Sequence, residues 1–133
     1  MTYKVAFVCV HNSCRSQMAE GFAKYLASDL MESYSAGTEE YPEVKPLAVE
    51  VMEEIGIPMD SQYPKLLTEI PQEIDILITM GCAVDCPFVP SKHQEDWGLD
   101  DPSGGPIEDF RETRDLIEKK VKDLMDRIEK NEF

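Results

Sequence analysis

Apolar and polar positions along this chain fall into blocks, and the period of the blocks changes. The run Tyr3-Lys4-Val5-Ala6-Phe7-Val8 predicts a strand over about 3–9. Met18, Phe22 and Leu26 then recur at helical spacing and predict a helix over about 16–29. A second extended stretch, about 31–36, ends at Gly37. Pro46 suits the first turn of a helix whose apolar stripe is Leu47, Ala48, Val51, Met52 and Ile55, and Gly56 stops it. Ile74-Asp75-Ile76-Leu77-Ile78-Thr79-Met80 reads as a buried strand, and so apolar a run suits a parallel sheet. Residues 81–106 are rich in Pro and Gly and read as loop, with one short strand near Trp97-Gly98-Leu99. The last helix, about 107–130, places Phe110, Ile117, Val121, Leu124 and Ile128 on one face and a solvated, charged face opposite.

Strands alternating with helices predict an α/β fold, a mostly parallel sheet with right-handed crossovers and helices on both faces. Ligands of such sheets bind at the carboxyl ends of the strands. Cys9 ends the first strand, Cys82 lies two residues past the third, and the loop before Asp101 reaches the same edge. Three chemically active segments are therefore expected on one rim.

The first of them is Cys9-Val10-His11-Asn12-Ser13-Cys14-Arg15-Ser16, between a strand and a helix. A loop of this length curls round a small anion and turns its backbone N–H groups inward, and the first turn of the helix adds partial positive charge. Arg15 supplies a planar fork matched to paired oxygens. The same field favours a thiolate at Cys9, the nucleophilic form. Ser16 is suited to two tasks, capping the helix and donating to the sulfur. Cys14 reads as a structural support of the loop. A cysteine at a strand end is more often a small hydrophobe. The spacing to Arg-Ser in a strand–loop–helix setting favours an oxyanion loop, and the missing Gly-Lys-Ser/Thr excludes a nucleotide P-loop.

With 133 residues and no repeat or linker, the chain is expected to form one domain over 1–133. No segment approaches the roughly 20 apolar residues of a membrane span, and the start runs straight into a strand without a signal peptide pattern. These features predict a cytoplasmic protein; a monomer is the default expectation. In a reducing cytosol, four cysteines point to catalysis, redox work or metal rather than structural bridges. The net charge of −14 argues against nucleic acid or an anionic membrane as partner. It leaves an anionic substrate possible, because surface carboxylates beyond about 8–10 Å are largely screened while the loop acts at contact.

Gly81-Cys82-Ala83-Val84-Asp85-Cys86-Pro87 places two thiols four positions apart. On a helical turn they would share a face, close enough for a disulfide with modest distortion. Three readings stand beside one another: a redox pair poised against Cys9, two inert structural thiols, and half a zinc site. No second pair or histidine cluster completes the zinc site, so no metal is expected. In Asp100-Asp101-Pro102, the proline biases Asp101 toward an extended backbone. Asp101 is the candidate general acid over the anion pocket, with Asp100 second.

Cys-x5-Arg-Ser near the N-terminus, Tyr34-Ser35-Ala36-Gly37 and a late Asp-Pro resemble the low-molecular-weight protein tyrosine phosphatase fold. Within it, the stretches 12–21, 79–82 and 95–102 are similar to thiol-dependent arsenate reductases. The resemblance covers nearly the whole chain. It implies a four-stranded parallel sheet flanked by helices and reduction of arsenate to arsenite. It assigns Cys9, Cys82 and Cys86 to a relay of disulfides, with thioredoxin favoured as external reductant, a glutaredoxin or another low-molecular-weight thiol system as the alternative, and no bound cofactor. The three-residue gap between Cys82 and Cys86 is shorter than in many relatives. Potassium-binding relatives use residues matching Asn12, Glu20 and Ser35, with an Asp where this chain has Lys65, whose ammonium is suited to the cation's role. Two other functions fit parts of the pattern, a tyrosine phosphatase and a non-catalytic thiol sensor. Ser103-Gly104-Gly105 after the Asp-Pro lacks the aromatic grip of the first, and Arg15 with Asp101 would be idle in the second.

Overall fold

The structure is a computed structural model that describes residues 3–9, 14–37, 43–59, 62–71, 73–80, 91–99, 102, 104–130 and 132. Four parallel strands form one sheet in the order β2-β1-β3-β4, where β1 is Tyr3–Cys9, β2 Met31–Gly37, β3 Ile74–Thr79 and β4 Ser91–Asp96. Among the described residues three helices accompany them, α1 (Arg15–Leu26), α2 (Pro46–Glu53) and α3 (Ile107–Glu129), with a short 3₁₀ turn at Leu67–Glu69. The order reverses direction between β1 and β3, which is where open α/β sheets hold ligands. Cys9 pairs in register with Gly37, so the nucleophile candidate sits level with the end of β2.

The buried stripes of all three helices join Val5, Phe7, Cys9, Ile76, Ile78 and Met80 in one apolar cluster. Side chains of the alternate register, Ala6, Val8 and Leu77, form a smaller cluster on the other face with Ile70, just past the 3₁₀ turn. Both faces are covered, but unequally. Met18 and Phe22 of α1 and the five stripe residues of α3 are buried as expected. Each fully buried large side chain contributes about 1.5–3 kcal/mol. Ile55 is the exception to the stripe of α2. It falls after the helix, in the turn that Gly56 makes at φ +82°, and is exposed. Gly21 lets Met59 and Met52 approach α1. A Cβ there would lie 3.0 Å from the Met59 sulfur.

The strand expected near Trp97-Gly98-Leu99 lies one step earlier, as β4 over Ser91–Asp96. Its sequence, Ser-Lys-His-Gln-Glu-Asp, has no apolar period. The strand sits at the sheet edge, where polar and charged residues guard unpaired backbone groups, and it is ordered by pairing with β3 rather than by its own hydrophobicity. Trp97 and Leu99 follow it as buried anchors, and the Trp97 amide donates to the Thr79 carbonyl at 2.8 Å.

Candidate functional site

β1 carries Cys9 at its last position, and α1 begins at Arg15 with Cys14 as its N-cap residue. Cys9 and Cys14 are both buried, unbridged thiols. The expected capping role of Ser16 is not found: the start of α1 has no side-chain cap, and Ser16 lies inside the first turn. Its hydroxyl goes to the sulfur instead, with Ser16 Oγ 2.8 Å from Cys9 Sγ and fully buried. When Cys9 is a thiolate, the hydroxyl is the donor of this bond, and a charge-assisted bond in a buried setting is among the stronger kinds.

Arg15 Nη1 donates to the Met80 carbonyl at 2.5 Å and to the Leu99 carbonyl at 2.6 Å. Met80 follows β3 and lies two positions before Cys82. Leu99 lies two positions before Asp101. The guanidinium thus binds the end of β3 and the segment after β4 to the start of α1. Cys82, Cys86 and Asp101 themselves, and Val10, His11, Asn12 and Ser13 of the loop, lie outside the described residues.

The expected support residues converge beside this rim. Glu20 is 2% exposed. Ser35 donates to its Oε1, and Lys24 Nζ is 2.8 Å from its Oε2. Lys65 Nζ stands 3.6 Å from Oε1, donates to the Tyr63 carbonyl at 2.9 Å and lies over the Tyr63 ring. Burial pulls the Lys65 ammonium below its ordinary value, with Lys24 adding to the depression and Glu20 opposing it. The Lys65 carbonyl in turn accepts from the Gly37 amide at 2.7 Å, beside the Cys9 register. A tethered ammonium therefore occupies the ground between Glu20 and Tyr63. Asn12, the remaining member of this set, lies outside the described residues.

Several contributors were not visible in sequence. The Met80 and Leu99 carbonyls carry no residue signature, because any residue offers one. Gln17 is fully buried, donates to the Tyr63 carbonyl at 2.9 Å and accepts from Gln62, which fastens the 62–65 segment to the first turn of α1. Glu95 accepts from Arg127, His93 and Trp97 together. A signal for it existed in the alternation His93-x-Glu95-x-Trp97, which puts the three on one face of an extended chain. Among the described residues no three His, Cys, Asp or Glu side chains gather as metal ligands.

Residues 4–132 match the model of the family described as low molecular weight phosphotyrosine protein phosphatase. The chain is 39% identical over 132 residues to an arsenate reductase of Staphylococcus aureus, covering 96% of this chain and all of that one. It is 40% identical over 129 residues to the glutaredoxin arsenate reductase of a Synechocystis species, covering 94% of this chain and 98% of the other. Among solved structures it is similar to an arsenate reductase in a phosphate-binding state, with TM-score 0.86, 40% identity and coverage of 96% and 99%. A thioredoxin-dependent arsenate reductase of Corynebacterium glutamicum superposes with TM-score 0.80 at 32% identity, covering 98% of this chain and 63% of that one.

Proposed function

The chain belongs to the low molecular weight phosphotyrosine protein phosphatase family, and on that premise we infer that it is an arsenate reductase, converting arsenate to arsenite with electrons from its own thiols and an external thiol reductant. The observation that carries the reading is the joining of a buried Cys9, hydrogen-bonded by Ser16, to an arginine that ties together the two segments leading to Cys82 and Asp101. A phosphatase would use the Cys9 loop, Arg15 and a general acid such as Asp101 as well. What separates the two is the pair Cys82 and Cys86, next in sequence after the Met80 that Arg15 holds, since these thiols have a task in reduction and none in hydrolysis.

The chemistry balances with two electrons from one pair of thiols. The Cys9 thiolate attacks arsenic held by the loop and Arg15, forming an S–As bond. Asp101 protonates the departing oxygen, which leaves as water. Cys82 then attacks the Cys9 sulfur. The S–As bond breaks, its electron pair goes to arsenic, and arsenite leaves as a Cys9–Cys82 disulfide forms. Cys86 attacks Cys82, moves the disulfide to Cys82–Cys86 and restores the Cys9 thiolate. An external dithiol, thioredoxin in this reading, reduces that disulfide. Val10, His11, Asn12, Ser13 and Cys14 supply the oxyanion cradle, while Glu20, Ser35 and Lys65 brace it. The enzyme acts as a single domain over residues 1–133 and as a monomer. The cytosol is its compartment, since the cycle needs reduced thiols and a cellular dithiol donor.

The test compares three assays on one preparation. Arsenate-dependent NADPH oxidation should be fast with thioredoxin and thioredoxin reductase, slower with glutaredoxin and glutathione, and hydrolysis of an aryl phosphate slower still. Rapid aryl phosphate hydrolysis with no arsenate-dependent oxidation in either thiol system would overturn the assignment in favour of a phosphatase.

A further inference from the structure

We propose that Glu95 is a positioning residue for the oxyanion site, fixed by Arg127 of α3 and acting through Trp97 on the Leu99 carbonyl that Arg15 binds. The carboxylate has all its acceptor directions used. Oε1 accepts from Arg127 Nη1 at 2.9 Å and lies 2.9 Å from His93 Nε2. Oε2 accepts from Arg127 Nη2 at 2.8 Å and from Trp97 Nε1 at 2.7 Å. The Arg127 contact is the paired fork that orients a carboxylate as well as attracting it. These bonds hold the Glu95 carboxyl at about 2, with Arg127 the largest cause.

Such a network at an edge strand would be ordinary scaffolding but for where its third donor leads. Trp97 is the first residue after β4. Its ring packs 5.7 Å from that of Phe7, which stands two positions before Cys9 on β1. Gly98 follows at φ +58°, a left-handed turn that a residue with a side chain would adopt only under strain. The turn brings the Leu99 carbonyl back to within 2.6 Å of Arg15 Nη1. Trp97 and Leu99 are both buried, so the three residues form a short rigid strap. One end of the strap is set by Glu95, and the other sets the arginine. A glutamine at 95 keeps one acceptor oxygen but turns an NH2 toward one of its donors, so it breaks either the Arg127 fork or the Trp97 bond, and the loosened indole shifts the strap and with it the Leu99 carbonyl and the plane of the guanidinium.

The inference rests on Arg15 as an oxyanion ligand, and the test separates it from the question of which oxyanion is reduced. The inhibition constant of inorganic phosphate and the KM for arsenate are measured for the wild type, Glu95→Gln, Trp97→Phe and Arg15→Lys, and for Arg15→Lys combined with each of the first two, alongside Tm. Trp97→Phe keeps the ring against Phe7 and leaves the Glu95–Arg127 pair whole, so it removes only the link between them. The expected result is that Glu95→Gln and Trp97→Phe each raise both constants about fivefold, with kcat changed by less than about twofold, and add almost nothing in the Arg15→Lys background. A lower Tm with both constants at wild-type values would overturn the proposal and leave Glu95 a scaffold residue. So would a full additional loss in the Arg15→Lys background. A wild type that binds phosphate but does not reduce arsenate would overturn the reductase reading while the phosphate constants still decide the role of Glu95.

Discussion

Arg15 reaches the Leu99 carbonyl at 2.6 Å across 84 positions of sequence. The same nitrogen holds the Met80 carbonyl, so one guanidinium joins the start of α1, the end of β3 and the segment after β4. These bonds need donors at fixed angles, which a delocalised planar cation supplies and a point charge does not. The residue that faces the substrate in the proposed chemistry is therefore also a strut of the rim. Its two tasks cannot be separated by charge alone.

Arg15→Lys should accordingly fail in both tasks. The ammonium keeps the positive charge but loses the fork and at least one of the two carbonyl bonds. Arsenate turnover should fall by more than about tenfold, equivalent to roughly 1.4 kcal/mol in the barrier. Steady-state kinetics check this, and wild-type values would show that Arg15 does not hold the substrate.

Ser16→Ala should slow the first chemical step without disturbing the fold. The hydroxyl lies 2.8 Å from the Cys9 sulfur in a fully buried position, and no side chain caps α1, so the helix does not depend on it. Hydrogen bonds to charged groups contribute about 1.5–3 kcal/mol, which corresponds to a rate loss of about tenfold or more. Single-turnover arsenate reduction and trapping of Cys9 with iodoacetamide would both report it, with Cys9→Ser as the inactive reference.

The elements that sequence revealed are those whose order comes from their own apolar period. β1, β3, α1 and α3 each carry a buried run or stripe, and each lies within a few residues of its expected place. β4 lies away from its expected place because its order is borrowed: Ile74 to Thr79 of β3 supply the pairing, and Ser91 to Asp96 bring polar side chains with no apolar period to announce a strand. At the site, Cys9, Arg15 and Ser16 were legible because their chemistry depends on side chains at fixed spacing. The Met80 and Leu99 carbonyls were not, since a backbone oxygen is the same in every residue. Glu95 carried a partial signal in the alternation of His93, Glu95 and Trp97, but the bond that fixes it was hidden. Its partner Arg127 is 32 positions away, in a helix face whose charges read as solvated.

Acid should weaken the wild type through Glu95. Its carboxyl lies near 2 in the fold against 4.5 for an ordinary glutamate, so the folded state favours the charged form. The resulting stabilisation is complete above pH 4.5 and is lost as pH falls toward 2. Glu95→Gln removes it at every pH, so the variant should be less stable at pH 7 by about 1–2 kcal/mol, allowing for solvent screening of a partly exposed pair, and its acid limb should be shallower. Urea unfolding at pH 7 and pH 3 measures the difference. An equal gap between the two proteins at both values would assign the contribution to packing rather than charge.

Lys65→Asp should convert a built-in cation into a demand for an added one. Lys65 Nζ stands 3.6 Å from a Glu20 carboxylate that is almost fully buried, and an aspartate there would place two carboxylates together. The variant should lose about 1–3 kcal/mol of stability in choline chloride. Potassium chloride should restore a good part of it, while the wild type should show the same Tm in both salts. A potassium-dependent wild type would show that the ammonium does not fill the site.

Cys86→Ser should divide the proposed cycle. Cys9 and Cys82 alone hold the two electrons that arsenate requires, so one equivalent of arsenite should be released per protein. The variant should then stop as a Cys9–Cys82 disulfide, in which Cys9 is buried beside Ser16 and poorly accessible to an external dithiol. The wild type without thioredoxin should accumulate Cys82–Cys86 instead. The short gap between these two cysteines makes the transfer demanding, because Cys82 must meet a sulfur at the end of β1 and then one four positions away in its own segment. The sequence places a glycine, with its wide backbone freedom, directly before Cys82 and next to Met80, whose carbonyl Arg15 holds in place, which suits the rearrangement that this transfer requires. Mass spectrometry of alkylated peptides after a single turnover distinguishes the two disulfides. Sustained turnover of Cys86→Ser with thioredoxin would show that the third thiol is dispensable and reduce the relay to Cys9 and Cys82.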